Sequence, residues 1–328
     1  MQGQLPKPDL EYSRMIQVDH LTKRYGRIVA VNDISFTINA GEVIGFLGPN
    51  GAGKSTTMNI LTGCVSASEG SVAIHGIDIL DDPSAAKRMI GYLPEHPPLY
   101  SEMTPLEYLR TVCDLKAIPA AERKREIPRV MEKVGITDVS RRLIRNLSKG
   151  YRQRVGLAQA MIGEPPILIL DEPTVGLDPG QIIGIRKLIT DLGKDHTVVL
   201  SSHILSEVQA VCERVMIISR GSIIASDTPE QLSRNLFGTN RLFLSVESGS
   251  ADVEPVIRKI PDLEDYQIES GEEPGTLAVM LKAHDEADIR RSVFSAFAAA
   301  GIPILMMRPI DMSLEDIFLD LTRSEVEL

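Results

Sequence analysis

Short apolar runs dominate the first half of the chain. Ile16–His20 reads as a short strand, and Ile34–Ile38 alternates with period two, the pattern of an antiparallel sheet with one wet face. Val43–Leu47 is a compact apolar run that ends in a Gly-rich turn. The pattern then predicts a helix from Lys54 to Thr62, with Gly63 as its stop. Between about Glu95 and Ala160 the period lengthens. Pro105–Leu115 and Ala120–Val134 are amphipathic, and they predict a mostly helical insert. Ile167–Leu170 is apolar throughout, as a buried parallel strand is. Val198–Ser202 and Val215–Ser219 follow as strands, and Arg220-Gly221-Ser222 turns the chain back into Ile223–Ala225.

Beyond about Phe237 the pattern restarts. Arg241–Glu247 reads as a strand, Val253–Ile260 as a helix, Tyr266–Glu269 and Leu277–Leu281 as strands. Asp288–Ala300 is a helix and Ile304–Met307 a strand. The order β-α-β-β-α-β is that of a small ferredoxin-like α+β unit. Glu269–Gly275 is expected to be a loop, and Ser313–Leu321 a final helix. The division expected is therefore a flexible polar tail over 1–14, a first domain over 15–237 with its helical insert at about 95–160, and an accessory α+β domain over 240–328. The fold class is α/β.

The length of 328 residues fits one large domain plus a small one, with enough core to need no staple. Three cysteines, Cys64, Cys113 and Cys212, match neither a disulfide framework nor a zinc site, and read as reduced thiols. The net charge of −10 argues against duplex nucleic acid as a partner, because phosphate contacts dominate such binding. The N-terminal stretch has no apolar core of a signal peptide, and no run reaches the length of a membrane-spanning helix. Work at a membrane would then need a partner that holds the chain there.

Gly48-Pro49-Asn50-Gly51-Ala52-Gly53-Lys54-Ser55 matches GxxxxGK[ST], the P-loop, between a predicted strand and a predicted helix. Glycines let the backbone curl so that successive N–H groups face one anion, and the helix that follows points its N-terminus at the same phosphates. Thr56 continues that first turn. Lys54 brings a positive charge to the β- and γ-phosphates, and the Ser55 hydroxyl is a ligand for Mg²⁺. The apolar strand Ile167–Leu170 runs into Asp171-Glu172. A carboxylate at the end of a buried strand is costly unless it meets a cation. Asp171 fits the magnesium side of a P-loop ATPase, and Glu172 then stands beside the γ-phosphate, placed to deprotonate the attacking water. Alone, such an acidic pair more often caps a helix.

Leu147-Ser148-Lys149-Gly150-Tyr151-Arg152-Gln153 is the most telling stretch. Here the chain resembles the ABC ATPase family, whose signature runs LSGGQ and leads into a basic helix. The resemblance covers roughly Val18–Asp227, with the family's motifs in order. It implies a cytoplasmic ATPase, peripheral at the inner face of the cell membrane, that uses ATP and Mg²⁺. It implies two partners: a second ATPase subunit and a polytopic membrane permease. Tyr25 matches the aromatic that stacks on adenine, and His203 the switch histidine at the γ-phosphate. Gly176-Leu177-Asp178-Pro179 matches the loop that crosses to the partner subunit. Ser148 and Gly150 match the residues that hold the nucleotide bound to the P-loop of the other copy.

Two motifs depart from the family. In the signature Lys149 stands for a glycine and Tyr151 for the glutamine; the glutamine before the helical insert is Glu95. The implied role of Glu95 is an oxygen on the metal side of the site. Both variants, with the phrase Met312–Phe318, resemble bacterial exporters of the gliding-motility, sodium and multidrug type. Two other readings stay in view. A soluble ABC ATPase of translation or DNA repair usually carries two ATPase units, long coiled coils or zinc modules, none visible here. A P-loop kinase or GTPase gives the signature, Tyr25 and His203 no role.

Overall fold

The computed structural model describes residues 14–235, 241–247, 250–271, 273–284 and 287–309. It divides into two compact units, Met1–Pro229 and Glu230–Leu328. The expected N-terminal tail apart from Arg14, the predicted boundary near Phe237, the helix Ser313–Leu321 and the phrase Met312–Phe318 lie outside the described residues.

The first unit holds two sheets. β1 (Arg14–Tyr25) and β2 (Ile28–Asn39) pair antiparallel. β3 is Val43–Leu47, α1 Lys54–Leu61, β4 Glu69–Ile74 and β5 Ile77–Asp78. β1, β2, β4 and β5 form a four-stranded antiparallel sheet in the order β2-β1-β4-β5. Both long strands outrun the short ones predicted. Register breaks in β1 and the left-handed residues His20 and Asp33 interrupt the period-two pattern, so the sequence shows only fragments of each strand.

α2 (Pro83–Arg88), β6 (Ile90–Leu93), α3 (Pro105–Leu115), α4 (Ala120–Val134) and α5 (Lys149–Met161) follow. Thr104 and Glu107 close α3 with a capping box, each side chain bonding the other's backbone N–H. β7 (Ile167–Asp171), α6 (Pro179–Gly193), β8 (Thr197–Ser202), α7 (Leu205–Gln209), β9 (Arg214–Ser219) and β10 (Ser222–Asp227) complete the unit. The second sheet runs β10-β9-β3-β8-β7-β6, parallel except at the β10 edge. β3 and β7 are buried at every position, because helices or the other sheet cover both faces. Each fully buried Leu or Ile contributes about 1.5–3 kcal/mol, so these two strands anchor the loops that leave their C-terminal ends. α6 was not predicted. It starts at Asp178-Pro179, within the loop motif, where Asp178 accepts from the backbone N–H of Gln181 at 2.9 Å and Pro179 fits the first turn.

The chain passes through α8 (Pro229–Asn235) into the second unit. There β11 (Arg241–Glu247), α9 (Ser250–Ile257), β12 (Leu263–Ser270), β13 (Thr276–Ala283), α10 (Arg290–Ala299) and β14 (Ile304–Pro309) give the β-α-β-β-α-β order. The sheet is antiparallel throughout, ordered β12-β13-β11-β14, with the first and third strands central. Leu242, Leu244, Val246, Val279 and Leu281 pack with Val253, Ile257, Val293 and Phe297 of the two helices. The expected loop is shorter than predicted, because Glu269 and Ser270 pair with Ala278 and Leu277.

Candidate functional site

A cleft of about 220 Å³ lies at the C-terminal ends of the parallel strands. Asn50, Gly51, Gly53, Lys54, Ser55 and Thr56 line it together with Glu95, Glu172 and His203. β3 delivers the P-loop, β7 delivers Asp171 and Glu172, and β8 delivers His203.

The tight course of the loop depends on two glycines. A Cβ at Gly48 would lie 2.3 Å from the carbonyl oxygen of Ile218. Gly53, the N-cap of α1, has φ +108°, and a Cβ there would lie 2.5 Å from the carbonyl oxygen of Ala30. Ala52 donates its N–H to Pro49 at 3.2 Å, which closes the turn. Lys54 is 5% exposed and donates to the carbonyls of Gly48 at 2.7 Å and Pro49 at 3.1 Å. Its ammonium lies 3.6 Å from Oε1 of Glu172. Burial holds the Lys54 amine below the usual lysine range, with Glu172 the strongest opposing influence.

Asp171 and Glu172 are both buried but do different things. Asp171 Oδ1 accepts from Ser55 Oγ at 3.2 Å and from Ser201 Oγ. Burial pushes its carboxyl above the usual range; the two hydroxyls oppose that shift and the charge of Glu95 adds to it. Glu172 takes φ +47°, the left-handed region that non-glycine residues avoid. Its N–H donates to Ser201 Oγ at 2.9 Å, and its Oε2 lies 2.9 Å from Nδ1 of His203. Glu172 therefore caps no helix; its side chain is held between an amine and an imidazole. Glu95 is paired with neighbouring His96 at 3.7 Å.

The other expected residues lie elsewhere. Tyr25, at the end of β1, is 48% exposed, with the ammonium of Lys23 5.1 Å from its ring centre. Ser148 is exposed and caps α5, accepting from the N–H of Tyr151 at 3.4 Å. Gly150 is buried, and a Cβ there would lie 2.4 Å from the Gln181 amide oxygen, the movable end of a side chain on α6. None of these three lines the cleft. Ser201, which bonds both Asp171 and the Glu172 backbone, was missed. Its only signal was its place at the end of a predicted strand just before His203.

The oxygen donors suit a magnesium ion. Ser55 and Glu95 line the cleft, and Asp171 lies behind Ser55, hydrogen-bonded to it; all three offer hard oxygen atoms. Such an ion takes one or two carboxylates and completes its shell with water and substrate phosphates. Among the described residues no three His, Cys, Asp or Glu side chains form a metal cage of their own.

A family model described as ABC transporter matches residues 31–175. The linearmycin resistance ATP-binding protein LnrL of Bacillus subtilis is 32% identical over 311 residues, which cover 94% of this chain and 98% of that protein. The chain belongs to the ABC transporter family. The bacitracin transport ATP-binding protein BcrA of Bacillus licheniformis is 32% identical over 94% of this chain and 97% of its own length. A solved ATP-binding subunit of an ABC transporter covers 67% of the chain and 92% of its own, with TM-score 0.62 and 31% identity. The dimeric cassette MJ0796, bound to ADP and Pi after hydrolysis, covers 65% of this chain and 98% of its own, with TM-score 0.60 and 27% identity. This member of the ABC transporter family is the ATP-binding subunit of a transporter and an ATPase.

Proposed function

We propose that this ATPase drives a bacterial exporter as one of a pair of copies, which ATP draws together and hydrolysis releases. The observation that carries this is the convergence on Glu172: a buried carboxylate 2.9 Å from His203 and 3.6 Å from Lys54, in the cleft that the P-loop walls. Glu172 is the general base. A water oxygen bonds to the γ-phosphorus, the bond to the β–γ bridging oxygen breaks, ADP leaves with that electron pair, and the water proton passes to Glu172. His203 orients that carboxylate and reaches the γ-phosphate. Lys54 and the backbone N–H groups of Asn50, Gly51, Gly53, Ser55 and Thr56 hold the phosphates on the turn that Gly48, Pro49 and Ala52 shape, and Tyr25 offers its exposed ring to adenine. Ser55, Asp171 and Glu95 would hold Mg²⁺, which when bound would neutralise charge on the β- and γ-phosphates.

Ser148 and Gly150 complete the site from a second copy. They stand at the N-terminus of the 13-residue helix α5, away from their own chain's cleft, where backbone donors and the helix dipole favour an anion. Export is supported by likeness to a linearmycin resistance protein and a bacitracin transport protein along nearly their whole length. The membrane partner is a polytopic permease that holds the subunit at the inner face of the cell membrane. Among the described residues no helix is long and apolar enough to cross a membrane. Residues 240–328 form an accessory module without a catalytic duty. The base is tested with Glu172→Gln in single-turnover ATP hydrolysis: binding is retained and the chemical step nearly stops. Full turnover by that variant removes the base.

A further inference from the structure

We propose that Glu207 is a positioning residue that locks the loops of Glu172 and His203 to one another. The idea rests on the roles given to those two residues above. Glu207 lies on α7 and is 4% exposed, yet no step of hydrolysis uses it. Its Oε2 accepts from two hydroxyls on different loops. One is Thr174 Oγ1, two residues beyond Glu172; the other is Ser202 Oγ, at 3.1 Å, immediately before His203. Ser202 Oγ also accepts from the N–H of Ile204 at 3.0 Å, so His203 is bracketed on both sides by one hydroxyl.

The same carboxylate explains how Glu172 keeps its strained backbone. A non-glycine residue at φ +47° persists only where its surroundings over-determine it. One restraint is the bond from the Glu172 N–H to Ser201 Oγ. The other comes from beyond the strained residue: Val175 N–H donates to the Glu172 carbonyl at 3.1 Å, Leu177 N–H to the Thr174 carbonyl at 3.1 Å, and Thr174 is tied to Glu207. Without Glu207 residues 173–177 lose their only side-chain anchor among the described bonds, and residues 202–204 lose the partner of Ser202. The 2.9 Å contact between Glu172 and His203 then keeps the Ser201 restraint on Glu172 but loses the one that ties its two loops together.

A third element joins the same group. The guanidinium of Arg186, on α6, lies 4.0 Å from Glu207 Oε1, and its Nε is buried without a hydrogen-bond partner among the described residues. α6 begins at the Asp178-Pro179 loop that the pair of copies would share. Glu207 therefore connects that helix to both halves of the catalytic pair.

A positioning role separates kcat from KM. In the full chain, Thr174→Val keeps the side-chain shape and removes one donor. We expect kcat to fall about tenfold to a hundredfold, the usual cost of misplaced catalytic groups, with KM for ATP unchanged. Thr174→Ser restores the hydroxyl and is expected to restore most of the rate. Glu207→Gln keeps an acceptor for the hydroxyls and should lose much less than Glu207→Leu. Thr174→Val with wild-type kcat, or Thr174→Ser as slow as Thr174→Val, overturns the proposal. Glu172→Gln and His203→Ala are measured beside them. If both of those turn over normally, the reading underneath fails and takes the proposal with it. If they are dead while Glu207→Leu is folded and fully active, only the proposal fails.

Discussion

Replacing Lys54 with alanine tests the phosphate cradle through a group whose surroundings are fully described. The Lys54 ammonium is 5% exposed and has three neighbours: the Gly48 and Pro49 carbonyls and the Glu172 carboxylate at 3.6 Å. At an effective dielectric near 20, two unit charges at that separation attract by roughly 5 kcal/mol before desolvation is counted. Part of that attraction is exchanged for phosphate when ATP binds, so the net change in affinity is smaller. A hydrogen bond to a charged group contributes about 1.5–3 kcal/mol, which corresponds to roughly a tenfold to hundredfold weaker Kd for ATP. Hydrolysis is expected to fall further, since the γ-phosphate loses its nearest fixed cation. The assay is titration with a fluorescent ATP analogue, alongside circular dichroism to show that the fold persists. Lys54→Arg keeps the charge but puts a wide planar fork where only a compact ammonium fits, and it should be nearly as damaging. A folded Lys54→Ala chain with unchanged ATP affinity would refute the cradle.

Glu95 carries a second expectation: Glu95→Gln keeps an acceptor oxygen and stays largely active. Glu95→Ala should lose about tenfold in permease-stimulated hydrolysis while ATP binding is little changed; equal rates for wild type and Glu95→Ala would remove the residue from the cycle. Lys116 carries a third. The residue is exposed as a whole, but its amine donates to the Ile162 carbonyl at 2.6 Å at the end of α5, and desolvation of that end lowers the amine pKa to about 8, against the opposing charge of Glu126. Between that value and the ordinary lysine value near ~10.4 the unfolded chain holds a proton that the native chain has released. This group's contribution to stability is therefore present above the ordinary value and is lost as pH falls through 8. Acylation of Lys116, followed by mass spectrometry against pH, should show a midpoint near 8; a midpoint with the other lysines contradicts the shielding of its amine.

The P-loop was legible because its whole apparatus is local. Its groups are consecutive backbone N–H donors, one lysine and one hydroxyl, and the flanking strand and helix carry their own patterns. The apolar runs of β3 and β7 were legible for a related reason, since burial on both faces leaves no polar positions to confuse the period. β4 and β6 were not found. Glu69, Gly70 and Ser71 of β4 are exposed, so only Val72 and Ile74 speak for a strand, and β6 is four residues long. The support of the proposed catalytic pair, Glu172 and His203, was also hidden. Ser201 meets Asp171 only because β7 and β8 align in parallel register, Asp171 opposite Ser201, and Thr174 meets Glu207 across 33 positions. No local pattern encodes such contacts; the sheet makes them.

The shared site is the claim with the most at stake, and one measurement reaches it directly. Light scattering of the Glu172→Gln chain with Mg-ATP should give twice the 36.0 kDa chain mass, because binding persists while release is blocked. Adding Ser148→Arg to the same chain puts a bulky cation at the exposed cap of α5, away from that chain's own cleft. The expected result is a monomer that still binds ATP. A dimer that survives Ser148→Arg, or no dimer from Glu172→Gln at any ATP concentration, contradicts a nucleotide held between two copies.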